Sequence, residues 1–492
     1  MGTRRDFLKT MSMATAGVAL TPSGILHAQN NSSAAAPKAV PGKVKIAYIG
    51  IGNRGNQIIG EFKKTNMVDV VALCDVDIKG KQCDEVKSWY PNAKQFTDFR
   101  ELFDKAGNEF DAVAIAVPDF AHFPIAMLAL SEGKHVYVEK PMARTFNEEE
   151  LMIQAALKRP NQATQVGNQG HSEGNYFQFK AWKEAGIIKD VTAVTAHMNS
   201  WRRWHPFPDD YTLKFPAAEP LPDGMNWDTW LNTAAWHEYC KDFHQGQWRC
   251  WYDFGMGALG DWGAHLLDTV HEFLELGLPY EITLQKEERH NDYFYPNSST
   301  ILFRFGARKD MPPVDVTWYD GIDNLPPIPE GFGVAGFDPN VPATNVDGKG
   351  RKPSLAPGKI IYSKDLTFKG GSHGSLLNII PKEKIAEVES KFGDKMHYEG
   401  EGKFGNKFKL GERPSNHFEN FLLACQGIEK TRSPFEICGV LCEVFSLGVI
   451  AQRLNTQLFF DARTKQFTNN AFANAMLVGI PPRKGWEQFY KL

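Results

Sequence analysis

Residues 44–49 (VKIAYI) form a short apolar run that enters Gly50-Ile51-Gly52-Asn53-Arg54-Gly55 directly, and an amphipathic pattern over 56–64 follows. This order of buried strand, glycine turn and helix constrains the chain more than any other feature. The first glycine permits the tight turn, the second lets backbone approach a pyrophosphate, and the third lets helix and strand pack closely. Asn53 and Arg54 sit where the helix N-terminus presents its unpaired N–H groups to anionic oxygens.

A second apolar run, 68–74 (VDVVALC), ends at Asp75, twenty residues beyond Gly55. A carboxylate there accepts hydrogen bonds from the adenosine ribose hydroxyls and repels a 2′-phosphate, which favours NAD over NADP. Lys79 and Lys81 keep NADP as the lesser alternative. Apolar strand runs recur at 111–117, 135–138 and 162–166, with helical patterns at 123–132 and 148–158. Such alternation predicts a parallel sheet with helices on its faces, here a dinucleotide-binding Rossmann domain over 43–167. Ligands lie at the carboxyl ends of these strands, where Pro118 and His122 follow one strand and Glu139 and Lys140 follow another.

The 492 residues leave room for a second large domain over 168–492, with a Pro-, Gly- and Asp-rich irregular insertion at about 320–358. Formal net charge is -3, from 55 basic and 58 acidic residues, without a long run of either sign. Nucleic-acid binding and a polybasic membrane-surface role need concentrated positive potential, so both are excluded. The seven cysteines form no close-set framework. Cys438 and Cys442 would share a helix face as buried thiols, and a Cys240–Cys250 pairing stays open.

The N-terminus reads as an address. Thr3 to Lys9 (TRRDFLK) resembles the twin-arginine export motif, a mildly apolar run covers 11–20, and Leu26-His27-Ala28 suits cleavage after Ala28. Residues 1–28 are therefore expected to be a signal peptide and 29–42 a flexible linker. The apolar run is short and interrupted, and no cysteine lies near the cut, so no stable membrane anchor is expected. The expected partner is the twin-arginine export machinery, and the destination is the periplasm as a soluble protein. Free dinucleotide is scarce there, so tightly bound NAD is expected.

Residues 116–143 (AVPDFAHFPIAMLALSEGKHVYVEKPMA) resemble a signature segment of the Gfo/Idh/MocA (glucose–fructose oxidoreductase / inositol dehydrogenase) family. The likeness rests on Pro118, His122, Ala129-Leu130, Gly133-Lys134-His135 and Glu139-Lys140-Pro141, on the glycine turn, and on Asp261-x-Gly263-x-His265. It covers residues 43 to about 275. It implies an α/β fold: the N-terminal Rossmann parallel sheet plus a C-terminal α/β domain with an open antiparallel sheet. One face of that sheet would cover the nicotinamide and form the substrate pocket. β-rich segments at 191–198, 282–286, 300–305 and 314–318 agree, and helical patterns at 418–427 and 436–454 are expected at the domain junction. By the same analogy the open sheet pairs copies, so a homo-oligomer is expected.

Asp261 and His265 lie four residues apart in GMGALGDWGAHLLD (255–268), on one face if the segment is helical. The glycines before them would allow backbone to approach a ligand. Oxidising an alcohol needs a base for the hydroxyl proton, a positive group for developing alkoxide character, and a carbon held about 3–3.5 Å from the nicotinamide. His265 suits the base, Lys140 the electrostatic group, and Asp261 an orienting carboxylate; the family resemblance implies similar roles. Asp261, His265, Asp268 and His271 recur at helical spacing, which raises a metal alternative. The resemblance implies that no metal is needed. His171, Trp201, Arg202 and Tyr252 are candidate substrate-binding residues, since indoles cover sugar C–H faces and guanidinium forks bond hydroxyls.

Three functions fit these residues. The first is hydride transfer between a carbohydrate hydroxyl or ketone and bound NAD. The second is a redox-neutral glycosidase: oxidation at C3 acidifies the C2 proton, and elimination, water addition and re-reduction cleave the glycoside. That route needs a further base, for which His171 and Tyr252 are candidates. The third is a non-catalytic sugar-binding protein with a vestigial dinucleotide fold, against which the joint presence of Lys140, Asp261 and His265 counts.

Overall fold

A computed structural model describes residues 39–198, 212–244, 246–321, 324–332, 356–397 and 414–491. The signal peptide, most of the linker, Trp201, Arg202 and most of the 320–358 insertion lie outside the described residues. The first sheet contains β1 (Val44–Ile49), β2 (Val68–Cys74), β3 (Lys94–Phe96), β4 (Ala112–Ile115), β5 (His135–Val138) and β6 (Thr164–Val166). The spatial order is β3-β2-β1-β4-β5-β6, with every pair parallel. Strand order therefore reverses between β1 and β4, and a crevice must open at their carboxyl ends.

Helix α1 (Arg54–Lys64) leaves the glycine turn and packs Ile58, Ile59 and Phe62 on the sheet. β3 and a helix at Phe99–Ala106 were not anticipated, because a three-residue strand with two exposed positions carries no periodicity. Helix α2 (Asp119–Ser131) begins four residues before the apolar pattern suggests. Its first turn holds Asp119 and His122, polar residues that are nonetheless buried.

The second sheet has nine strands: β7 (Val191–Met198), β8 (Glu281–Glu288), β9 (Ser298–Phe305), β10 (Val314–Asp320), β11 (Gly358–Ser363), β12 (Thr367–Gly371), β13 (Asn378–Ile380), β14 (Gln457–Asp461) and β15 (Gln466–Phe467). Their order is β13-β12-β11-β7-β10-β9-β8-β14-β15. The expected antiparallel sheet is thus mixed: β7 and β10 pair in parallel, while the other pairs are antiparallel. A parallel pair needs a long crossover, and the chain supplies one between residues 199 and 313.

Helix α3 (Phe146–Leu157) of the first half and α5 (Phe435–Leu454) of the second hold the halves together. Phe435, Cys438 and Cys442 of α5 join the first core, and Leu441, Val444 and Phe445 join the second. Ser446 Oγ donates to Glu149 Oε2 of α3 at 2.8 Å. By length and hydropathy α5 could cross a membrane, but it lies largely buried between the two cores. All seven cysteines are buried thiols outside any disulfide, so Cys240 and Cys250 do not pair.

Candidate active site

A cavity of about 820 Å³ opens at the crevice. Gly50, Gly52 and Asp75 line it beyond β1 and β2; Glu139 and Lys140 line it beyond β5. β2 and β5 stand three strand spacings apart, roughly 14 Å, so the two groups of residues mark two ends of one groove.

The glycines are required by contact. Gly50 has φ +82°, and a Cβ there would lie 2.4 Å from the Ala116 carbonyl oxygen. A Cβ on Gly55 would lie 2.0 Å from the Gly50 carbonyl oxygen. Asp75 Oδ2 accepts from the N–H groups of Ile51 (2.9 Å) and Gly52 (3.3 Å), and Oδ1 accepts from Asp77 N–H (3.0 Å). The carboxylate thus clamps the turn and keeps a lone pair on Oδ1 for a ribose hydroxyl. Arg54 reaches across the groove to Glu139 Oε1 at 3.2 Å. The bare backbone cradle at the start of α1, with a carboxylate beside it, fits a dinucleotide: α1 would face the pyrophosphate and Asp75 the adenosine ribose.

Lys140 comes from the first half, where the Lys140–Pro141 peptide bond is cis. Its Nζ donates to the Asp261 carbonyl oxygen at 2.7 Å and to Asp261 Oδ1 at 2.9 Å. Asp261 and His265 stand on helix α4 (Gly257–Leu266), one turn apart as the spacing predicts. The neighbouring glycines serve helix packing rather than ligand approach. A Cβ on Gly263 would lie 2.6 Å from the Phe445 ring of α5, and one on Gly257 would lie 2.5 Å from the Tyr295 ring.

His265 is buried, and its Nδ1 has no hydrogen-bond partner. Burial first, then the Lys140 ammonium and His373, hold its pKa well below the ordinary value. The imidazole is therefore neutral and able to accept a proton. His373, from the β12–β13 connection, stacks on His265 with centroids 3.8 Å apart and rings inclined by 23°. Its backbone N–H also donates to the His265 carbonyl oxygen at 3.2 Å. No motif announced His373: it reaches the cavity through sheet pairing far along the chain. Asp119 and Arg249 also line this end. Burial pushes the Asp119 carboxyl up to about 7, against the nearby Arg249 guanidinium. His122 faces the cavity as well; its Nδ1 meets the Pro141 carbonyl oxygen at 2.8 Å and its Nε2 is unpartnered.

Of the residues nominated from the sequence, the groove brings together Gly50, Gly52, Asn53, Arg54, Asp75, Pro118, His122, Glu139, Lys140, Asp261 and His265. Gly55 stands behind the turn. His171 and Tyr252 do not line the groove. The 3-10 turn Gln169–Ser172 puts Gln169 on the wall and turns His171 inward, where Nδ1 lies 3.0 Å from the Arg432 carbonyl oxygen. Tyr252 packs on Tyr295 at 4.4 Å and faces a separate small cavity beside Arg144 and Arg453. Among the described residues no group of three His, Cys, Asp or Glu side chains could hold a metal. His271 Nε2 instead lies 2.9 Å from the Gly277 carbonyl oxygen.

A glycine turn at the switch point of a parallel sheet, facing a helix from a second sheet across one groove, defines a two-domain NAD-binding protein. Residues 44–168 match the oxidoreductase-family NAD-binding Rossmann fold, and residues 201–304 match the same family's C-terminal alpha/beta domain. The chain belongs to the Gfo/Idh/MocA family of oxidoreductases. It is 32% identical over 243 residues to a glycosyl hydrolase family 109 protein of Shewanella baltica, covering 41% of this chain and 50% of that protein. It is 28% identical over 146 residues to an inositol 2-dehydrogenase of Salmonella paratyphi B, covering 30% of this chain and 43% of that protein. The chain thus spans about half, or less, of the length of these curated relatives. The WlbA dehydrogenase of Bordetella pertussis, solved with NADH and UDP-GlcNAcA, shares the fold: TM-score 0.52, 13% identity, 85% of this chain and 99% of that one.

Proposed function

We propose that the protein oxidises and reduces a carbohydrate CH–OH carbon, using NAD held in the groove. The observation that carries this reading is the meeting of Lys140 from one half with Asp261 and His265 from the other, at the β5 end of the groove whose β2 end holds Asp75. NAD, when bound, supplies a hydride acceptor or donor. His265, neutral and unpartnered at Nδ1, takes the proton of the substrate hydroxyl and returns it in the reverse direction. Lys140 stabilises the developing alkoxide, and Asp261 fixes its ammonium through two hydrogen bonds.

A second reading is favoured by the likeness to the glycosyl hydrolase family 109 protein. In it, oxidation at C3 acidifies C2–H, elimination releases the aglycone, and water addition and re-reduction follow with no net redox change. His171 and Tyr252 lie off the groove, so of the imidazoles lining it His373 is the one placed beside His265 to take the C2 proton. The export signal, the periplasmic destination and NAD retained through export belong to the same proposal; they are supported by Arg4-Arg5 and the apolar run that follows.

The test is to purify the protein without added cofactor, identify dinucleotide released on denaturation, and offer a panel of sugars and glycosides. Reduction of bound NAD with a keto-sugar product supports the oxidoreductase. Free sugar from a glycoside without any acceptor supports the redox-neutral glycosidase. Neither product from any carbohydrate, with NAD demonstrably bound, would overturn both readings.

A further inference from the structure

Lys140 and Arg144 stand four residues apart, yet only Lys140 lines the groove. Arg144 lines a second cavity of about 50 Å³, together with Arg453, Tyr252 and Tyr295. Three pieces of the fold meet there: the start of α3 at Thr145 and Phe146, the last turns of α5 at Ile450 and Arg453, and the segment leading into α4 at Tyr252 and Gly255. A single water needs roughly 10–15 Å³ of such space, and a six-membered ring fills a cavity of roughly 150 Å³. The cavity therefore takes a small polyatomic group and excludes a sugar ring.

Its polar lining is built from donors. Tyr252 is buried, and its hydroxyl has no hydrogen-bond partner. Burial holds that phenol well above its ordinary pKa, so it stays protonated and able to donate. Arg144 donates one N–H to the Tyr252 carbonyl oxygen at 3.3 Å, while its buried Nε–H is unpartnered. Arg453 holds its guanidinium over the Tyr252 ring, 4.9 Å from the centroid. The Tyr295 hydroxyl is already engaged, donating to the Gly255 carbonyl oxygen at 2.9 Å. Thr145 caps α3 by accepting from Glu148 N–H at 3.3 Å, which brings the positive end of that 12-residue helix to the rim. Among the described residues no acidic side chain lines the cavity. Asp253, the carboxylate that feels both arginines, stands off the lining and is bonded to His237 at 2.8 Å.

Buried donors of this kind call for an acceptor, and two guanidinium groups call for one that is charged. The donors come from three separate elements. A planar carboxylate offers its oxygens in one plane, whereas a tetrahedral anion offers them on every side. We propose that this cavity is a binding site for a tetrahedral oxyanion, phosphate or sulfate, held by Arg144, Arg453 and Tyr252. The bound anion joins α3, α5 and the segment that carries α4, the elements whose packing brings Asp261 to Lys140. Gly255 on the cavity wall precedes Met256, whose N–H donates to Asp119 Oδ2 in the groove at 3.2 Å. Occupation thus stiffens the start of α4 without entering the groove. The proposal stands apart from the NAD reading.

The experiment measures radiolabelled phosphate and sulfate binding by equilibrium dialysis, in Tris chloride at constant ionic strength, with NAD in excess to fill the glycine turn. One anion per chain is expected. Tyr252→Phe keeps the ring against Tyr295 and removes only the hydroxyl, and it should weaken binding about tenfold; Arg144→Gln should weaken it about a hundredfold. Both variants lie off the groove, so their effect separates this site from the glycine turn even where NAD does not bind. Should Arg144→Gln fold poorly by circular dichroism, Tyr252→Phe decides. Methyl phosphate and a sugar sulfate, added as competitors, distinguish the source: displacement by them assigns the site to an ester group of a larger ligand, and displacement by inorganic anions alone assigns it to the free ion. Absence of saturable binding, preference for acetate over both anions, or binding unchanged by Tyr252→Phe would overturn the site.

Discussion

The two ends of the groove are held by different physics. At the Asp75 end the glycine turn offers the ligand backbone, shaped by absent side chains. Gly50 and Gly55 are there because a single Cβ would collide with a carbonyl oxygen at 2.4 and 2.0 Å. At the Lys140 end the surface is ionisable side chains from both halves, and their charge states depend on burial and on one another. Lys140, the Asp261–His265 helix and His373 come from three separate stretches of chain, and Lys140 meets Asp261 across the junction that α3 and α5 hold together. The first end should therefore respond to substitution through binding and folding, and the second through chemistry.

The largest separation of these responses is expected from Lys140→Ala and His265→Ala. Each removes a group that acts on the proton or on developing charge, and turnover should fall by about 10³-fold. Dinucleotide released on denaturation should stay at the wild-type amount, since neither side chain touches the glycine turn. A loss of bound NAD matching the loss of rate would mean that the ends are not separable. The converse is Gly55→Ala. The added methyl has only the Gly50 carbonyl to meet, which cannot swing aside, so the turn must deform. We expect about 3 kcal/mol lost in urea unfolding and little or no retained NAD.

The same contrast governs what could be read from the amino-acid order. The Asp75 end is local: a strand, three glycines and a carboxylate twenty residues on state its geometry within one stretch. β1, β2 and β5 accordingly lie where the apolar runs put them. The Lys140 end was readable only as far as motifs reach, which is Lys140, Asp261 and His265. His373 arrives by pairing of β11 and β12, which no periodicity before residue 356 announces. Asp119 and His122 hid the start of α2 because buried polar residues imitate a loop. His171 was misplaced through a rotation of one 3-10 turn, since two residues decide between Gln169 on the wall and His171 behind it. Trp230 and Trp248, which also line the groove, were missed for another reason: tryptophans could be counted, but only the bonds of Asn226 to Val76 and of Thr229 to Asp98 set this stretch of chain beside Asp75.

A smaller effect tests how Asp75 divides its labour. Two of its accepted N–H bonds, from Ile51 and Gly52, hold the glycine turn, a third comes from Asp77, and the remaining lone pair on Oδ1 serves the ribose. Asp75→Ala should weaken NAD binding by about tenfold, roughly the worth of one charge-assisted hydrogen bond. It should also narrow the preference over NADP, because the charge that repels a 2′-phosphate is gone. Equilibrium dialysis with each dinucleotide measures both. An unchanged NAD-to-NADP ratio would assign Asp75 to the turn alone.

The smallest expected effect concerns His122, where the ends of the groove meet. Burial holds its pKa at about 4, below the ordinary 6.5, although the Pro141 carbonyl works the other way. Between those values the unfolded chain binds a proton that the folded chain refuses, so stability rises with pH across the window and falls as pH drops below about 6.5. At pH 6 the share of this one group is about 1 kcal/mol relative to pH 8. His197 and His271, also held at about 4 by burial, add slopes of the same sign, while the Asp119 and Asp320 carboxyls, pushed up to about 7, add slopes of the opposite sign, so the difference between wild type and variant is what isolates His122. His122→Asn should remove only its own share: urea unfolding of wild type and variant, each at pH 8 and pH 6, should converge by about 1 kcal/mol on acidification. A constant difference at both pH values would show that His122 already shares a proton with the groove when folded. Its unpartnered Nε2 would then belong with Lys140 and His265 rather than with the apolar wall of α2.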